Sequence, residues 1–269
     1  MSTTSPTPEP ANDTGAASPE LNEVWGVPEY LRVRLDPKPA DPLYIVLSDL
    51  RQYVERARTS EALRVLDYGA GPSPYRSLFP KADYRRADYV VSPGLDYVVD
   101  AQSRIPEADN VFDLVLSTQV AEHLTDPDTY FREALRVLKP GGRLVLTTHG
   151  VWPDHGTPFD FQRWTAAGLA RDLGRAGFVN VRTAKLTAGY RAHLFLALEA
   201  LSGSGIVARG LRGAFARLFR SMVTFLRPSL HRFADKRWPH LRISELGSDP
   251  TSGPPFYLLI AAESEKPHA

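Results

Sequence analysis

Apolar positions follow two rhythms along this chain. From Leu63 onward, short apolar runs recur as "LRVLDY", "YRRADYV", "DYVVD", "FDLVLS" and "RLVLTTH", each with the character of a strand. Helical or loop segments lie between them, the clearest being "DPDTYFREALRVLKPGG". There Asp126 is placed to cap a helix, Pro127 fits its first turn, and Tyr130, Leu135 and Leu138 share one face. Pro140 and the two glycines after it are expected to end that helix in a turn before the next strand. Strands alternating with helices predict an α/β fold, a mostly parallel sheet covered on both faces, with ligands bound beyond the carboxyl ends of its strands.

The flanks differ. "YIVLSDLRQYVERAR" has helical spacing through Ile45, Leu47, Leu50 and Tyr53 and should pack on the domain that follows. Before it, "MSTTSPTPEPANDTGAASPE" is rich in Ser, Thr, Pro and Ala, contains no Lys or Arg, and reads as a disordered tail. After the alternating region, "YRAHLFLALEALSGSGIVARGLRGAFARLFRSMVTFLRPSLHRFADKRWPHLR" contains two apolar helical stretches. The second carries Arg209, Arg212, Arg217, Arg220 and Arg227; against these and Arg232, Lys236, Arg237 and Arg242 stands the single acid Asp235. Phe215, Leu218, Phe219, Met222, Val223, Phe225 and Leu226 recur at helical spacing, which makes a basic amphipathic helix. The expected organisation is a tail over 1–22, an N-terminal helical cap over 23–60, a binding core over 61–192, a basic helical insert over 193–250, and a last strand with its tail over 251–269.

Composition narrows the function classes. With 269 residues, 43% of them hydrophobic, the chain can build one large core. A formal net charge of +1 argues against a general nucleic-acid binder, which needs many cationic contacts to phosphate. The absence of cysteine excludes disulfides and thiolate metal sites, and no basic segment followed by an apolar core opens the chain; a cytoplasmic protein is expected.

The chemistry begins at "RVLDYGAGPSPYRSLFP". The first strand ends at Asp67 and runs into Gly69-Ala70-Gly71, a tight turn that a ligand can approach closely. A dinucleotide site would place a third small residue where Pro74 stands, and the Asp67 carboxylate repels phosphate while attracting an ammonium. The second strand ends at Asp88, where an acid can hold ribose hydroxyls, and the third at Asp100, where an acid can receive an adenine amino group. A ligand with a cationic amino-acid end, a ribose and an adenine but no phosphate suits all three acids, and S-adenosyl-L-methionine has that chemistry.

With "VLDYGAG", the acid of "RRADYV", "VVDAQSRIP", "NVFDLVLSTQVAEHL" and "EALRVLKPGGRLVLTTHG" in this order, Leu63 to about Phe178 resembles the class I S-adenosylmethionine-dependent methyltransferases, in particular bacterial enzymes acting on small molecules or glycans. The resemblance implies a Rossmann-like, seven-stranded sheet of order 3-2-1-4-5-7-6. "FVNVRTAKL" would be its sixth strand and Pro254–Ser264 the last, antiparallel one. It also implies that Asp67, Gly69 and Gly71 line the methionine end of the cofactor, that Asp88 holds the ribose, and that Asp100 and Ala101 sit at the adenine. Tyr89 would cover the adenine face and Gln119 would lie near the sulfonium. Pro72, Pro74 and Tyr75 depart from the small residues common there. Glu122-His123 matches the family's "EH" pair, expected to pack structurally, and Lys139-Pro140-Gly141-Gly142 its helix-to-strand turn.

Catalysis is expected from the loop after the fifth strand, "THGVWPDHGTPFDFQRWT". His149 or His155 would serve as the base that removes an acceptor proton, oriented by Asp154 or Asp160, while Arg163 pairs with Asp160 or an acidic substrate. The metal is left unassigned. The expected acceptor is a hydroxyl on a sugar, glycolipid or secondary metabolite. The basic insert is expected to cap the substrate, form a homodimer or touch a membrane through 208–242, and the alternative function is a noncatalytic methyltransferase-fold protein that binds a partner or membrane through it.

Overall fold

The computed structural model describes residues 28–155, 159–203, 210–247 and 249–268. The tail expected over 1–22, together with Arg209, lies outside these residues. Two helices, α1 (Pro28–Leu35) and α2 (Tyr44–Val54), lead into β1 (Arg64–Tyr68), β2 (Asp83–Asp88), β3 (Tyr97–Val98) and β4 (Phe112–Thr118). Helix α3 (Pro127–Val137), β5 (Leu138–His149), α4 (Ala166–Ala176) and β6 (Val179–Ala188) follow, then α5 (Gly189–Gly203), α6 (Gly210–Arg237), β7 (Ile243–Glu245) and β8 (Tyr257–Glu265).

The strands form one sheet of order β3-β2-β1-β4-β5-β8-β6-β7. β3, β2, β1, β4 and β5 run parallel, and β8 lies antiparallel between β5 and β6. The order expected from the sequence is therefore present, with one addition: the three-residue β7, from the end of the expected insert, pairs antiparallel with β6 at the sheet's edge. Its shortness hid it, because three half-exposed residues carry no periodicity.

Alternation along the strands sends side chains to two cores, one on each face. On one face Leu66, Val115, Leu144 and Leu146 meet Tyr130, Phe131, Ala134 and Val137 of α3 and Leu169 and Leu173 of α4. On the other, Val65, Leu114, Leu116 and Val145 meet Ile45, Leu50 and Val54 of α2, Ala192 and Phe195 of α5, and Ala234 of α6. Helix α3 starts where its signals place it: Asp126 accepts the backbone N–H of Thr129 at 3.1 Å, with Pro127 next. Its end differs from expectation. Lys139-Pro140-Gly141-Gly142 is no separate turn but the irregular start of β5, where pairing shifts between Phe112↔Leu138 and Leu114↔Arg143. Gly141, at φ +76°, takes up the extra residues as a bulge.

A buried ionic node ties the flanking helices to the sheet. Asp49 of α2 and Arg191 of α5 are both fully buried and form a two-pronged pair, Nη2 to Oδ1 at 2.8 Å and Nε to Oδ2 at 3.0 Å. Thr187 of β6 donates to the same carboxylate at 2.9 Å, while Asp235 of α6 accepts from Arg191 at 3.1 Å and from Arg242. Such a pair fixes geometry, since either charge alone in this setting would be costly.

Candidate active site

All parallel strands present their carboxyl ends on one edge. The residues that follow β3, β2, β1, β4 and β5 therefore line up there in that order, about 4.8 Å apart per strand. After β1, Gly69 turns the chain at φ +78°, and a Cβ there would sit 2.5 Å from Cγ2 of Val120, the second residue beyond β4. Only glycine lets these two strand ends approach so closely. Gly71 also has positive φ, as does Ser73. Pro72 and Pro74 then lead to a short 3₁₀ turn at Arg76–Leu78 instead of a long helix, with Tyr75 buried as its cap.

The acids differ in how they are held. Asp67 is buried and accepts the Tyr84 hydroxyl at 2.6 Å; burial pushes its carboxyl up to about 7, although the hydrogen bonds from Tyr84 and Ser73 work against the rise. Asp88 is also buried, and burial raises its carboxyl. Its oxygens accept the backbone N–H of Gly71 at 2.8 Å and of Val90 at 2.9 Å, so it ties β2 to the glycine turn and has only its remaining lone pairs for a ribose. Asp100 is exposed and accepts the N–H groups of Gln102 and Arg104 at 2.9 and 2.8 Å, shaping the turn that carries exposed Ala101. Tyr89 is half exposed beside Asp88. Gln119, at φ +56°, donates its backbone N–H to the Thr147 carbonyl at 2.8 Å and its side-chain amide to the Thr147 hydroxyl at 3.1 Å.

Sequence reasoning passed over Arg86. Its guanidinium reaches Gly71 O at 2.6 Å, Ser73 Oγ at 2.9 Å and Pro93 O at 2.8 Å, bracing the glycine loop from below. An arginine inside a strand signals nothing until the loop folds over it.

Beyond β4 and β5 a second group converges. Glu122, expected only to pack, is fully buried in a 3₁₀ turn. Its Oε2 accepts the Thr148 hydroxyl at 2.8 Å, and its Oε1 lies 3.6 Å from His149 Nε2 without a hydrogen bond. His149 is buried, stacked on Trp152 with ring centres 4.9 Å apart, and its imidazole is pushed down to about 3 by burial and by nearby His155 and Arg163. It is therefore neutral near pH ~7. His155 is partly exposed, 4.6 Å from the His149 ring and 5.1 Å from that of His123. Its Nδ1 lies 3.2 Å from Oδ2 of Asp160, which also accepts the His155 backbone N–H at 3.0 Å. Arg163 grips Asp160 with two contacts of 2.5 Å and holds its carboxyl far below the usual range. Of the two acids expected to orient a histidine, Asp160 is the one that meets it.

Among the described residues, Glu122 Oε1 and His149 Nδ1 are buried without a hydrogen-bond partner, and His155 Nδ1 has only its 3.2 Å approach to Asp160. Buried polar atoms are rarely left so, which makes this cluster a candidate binding place. Glu122, His123 and His155, or His149, His155 and Asp160, bring ligand atoms within 4.8 Å of one another, close enough for a metal ion. Asp160, however, is already neutralised by Arg163. Nearby, Phe159 and Phe161 are exposed and stacked on each other at 5.6 Å.

Comparison with known proteins bears on the fold. Residues 66–146 match the family model described as "Methyltransferase domain". An uncharacterized methyltransferase of Mycobacterium sp. (strain KMS) is 35% identical over 127 residues, covering 42% of this chain and 48% of that protein. A malonyl-[acyl-carrier protein] O-methyltransferase of Hahella chejuensis is 35% identical over 102 residues, covering 31% and 36%. A solved S-adenosylmethionine-dependent methyltransferase of Thermotoga maritima superposes with a TM-score of 0.50 at 14% identity, covering 92% and 98%. Residues 66–146 thus resemble a methyltransferase domain, and the fold is the one seen in a solved S-adenosylmethionine-dependent methyltransferase. The chain spans about half the length of the mycobacterial relatives it matches.

Proposed function

We propose that this chain is an active methyltransferase that passes the sulfonium methyl of S-adenosylmethionine to a hydroxyl of a sugar, glycolipid or secondary metabolite. The observation that supports it best is the pair of buried atoms without a partner among the described residues, at Glu122 and His149, beside His155 and one to two strands over from the glycine turn. An acceptor hydroxyl there would satisfy an imidazole nitrogen and lie beside the methyl donor.

In this reading Asp67, Gly69 and Gly71 receive the amino-acid end, Asp88 and Asp100 the ribose and adenine, and Gln119 flanks the sulfonium. His155 takes the acceptor proton as the methyl is transferred, and Asp160, fixed by Arg163, holds the imidazole and stabilises its cation. His149 is the supporting wall, since an imidazole kept neutral to about pH 3 and covered by Trp152 packs against the reacting group more readily than it shuttles protons. The exposed Phe159 and Phe161 pair suits the apolar face of a sugar or phenol ring.

The test is a methyl-transfer assay against a panel of sugars, glycolipids and phenols, with products read by mass. Substitution of His155 should abolish turnover and leave cofactor binding intact. Full activity in the His155 variant would remove the assignment. The other reading is a noncatalytic relative that binds through its basic insert, its cofactor pocket kept or lost; if neither S-adenosylmethionine nor S-adenosylhomocysteine binds in calorimetry, the enzyme reading fails.

A further inference from the structure

Helix α6 is built the wrong way round for a soluble cap. At 100° per residue, Val223, Arg227, His231 and Ala234 fall on one side, and these are its buried side chains among the described residues. Arg227 seals that side, reaching Glu199 at 2.7 Å, Ser202 at 2.6 Å and Pro42 O at 3.1 Å, while His231 Nδ1 sits 2.8 Å from Pro39 O. The inward face of this helix is thus held largely by polar contacts. Its large apolar side chains point the other way: Phe215, Leu218, Phe219, Met222, Phe225, Leu226 and Phe233 are all exposed, Phe225 by 81% and Phe215 by 70%.

Those seven side chains cover a stripe roughly 120° wide along the helix. Scattered apolar residues on a surface mean little, but a continuous stripe of four phenylalanines, two leucines and a methionine marks a contact surface. Its charge surroundings say which kind. From Gly210 to Ala234 the sequence holds no Asp or Glu, whereas Arg232 is exposed at the edge of the stripe, Arg217 is exposed farther round on the same side, and Lys236 and Arg237 are exposed at the helix's end. Two copies meeting through this face would bring like charges together, while an anionic lipid surface supplies the opposite charge and an apolar layer.

We infer that α6 is an interfacial helix that docks on anionic membranes with the Phe215–Phe233 stripe in the headgroup layer. The helix lies on the surface; among the described residues no helix is long and apolar enough to cross a membrane. Docking also reaches the candidate site, because Trp152, stacked on His149, stacks on Phe195 of α5 at 5.5 Å, and α5 is the helix that Arg227 ties to α6. The inference goes beyond the catalytic reading and stands whether or not methyl transfer is found.

The experiment is flotation of the full chain with phosphatidylcholine vesicles, plain or doped with phosphatidylglycerol. Binding is expected only to the doped vesicles, weakening at high salt. Phe215→Ser and Phe225→Ser, both fully on the exposed stripe, should each lower binding about tenfold with an unchanged melting temperature, and Arg217→Glu with Arg232→Glu should lower it further. No binding to doped vesicles, or binding that both serine variants retain, overturns the proposal. So does a dimer in sedimentation velocity that the serine variants dissociate, which would give the stripe to a second copy.

Discussion

Asp67 is expected to make cofactor binding depend on pH near neutrality. Burial raises its carboxyl from 3.8 to about 7 in the unliganded chain, so near pH ~7 about half the molecules carry a proton there. A bound ammonium requires the carboxylate. From about pH 7 down to about pH 5.5 the ionised fraction falls from about one half to roughly 3%, so the affinity for S-adenosylmethionine should drop roughly fifteenfold. The ligand's own α-amino group, with an ordinary pKa of about 7.7–8.0, stays largely protonated across that window and does not produce the trend. Calorimetry in buffers of different ionisation heat should show about half a proton released per cofactor bound near pH ~7. Asp67→Asn should bind weakly and without the slope. Tyr84→Phe removes a hydrogen bond that favours the ionised form and should move the midpoint upward. For folding the same shift has the opposite sense: its stabilising contribution is full below the unfolded value of 3.8 and is lost as pH rises through about 7. An affinity flat between about pH 5.5 and 7, or an Asp67→Asn variant that keeps the wild-type slope, would refute the reasoning.

Three further substitutions probe other parts of the framework. Gly69→Ala places a methyl 2.5 Å from Val120 at φ +78°, and calorimetry should show cofactor binding weakened at least tenfold, with about 1–3 kcal/mol of stability lost in a denaturant melt. Arg191→Met leaves fully buried Asp49 without its two-pronged partner and should cost about 3–5 kcal/mol in urea unfolding, part of which Asp49→Asn in the same chain restores. Arg163→Ala frees Asp160 and unties the loop from the Trp152 and Pro153 carbonyls, so turnover should fall while calorimetric cofactor affinity stays unchanged.

Most of the sheet was legible because its strands are buried on both faces and their apolar runs are punctuated by acids and glycines at the carboxyl ends. Asp67, Asp88, Asp100 and Gly69-Ala70-Gly71 stand out in the sequence for that reason, as does the cap at Asp126. What stayed hidden depends on contacts between segments far apart in the chain. β7 is too short for a pattern, the bulge at Gly141 reads as a turn until its partner strand is present, and Arg86 acquires meaning only once the Pro72-Ser73-Pro74 loop lies over its guanidinium. The ionic node joins Asp49 to Arg191 across 142 residues, a pairing no local spacing announces.

Glu122 shows the same limit more sharply. In sequence it is one half of an "EH" pair at the end of a strand, and packing is the natural expectation. In the fold it is a carboxyl with no solvent exposure, 3.6 Å from a histidine 27 positions later, with one oxygen unpartnered. Burial raises its carboxyl and lowers the His149 imidazole, so each is pressed toward its neutral form. Two polar groups kept neutral side by side would each pay a desolvation cost on becoming charged. His155 beside them is partly exposed, with Nδ1 3.2 Å from the Asp160 carboxylate, which Arg163 holds well below the usual carboxylate range. That difference in burial between His149 and His155 is something the spacing of residues along the chain does not record.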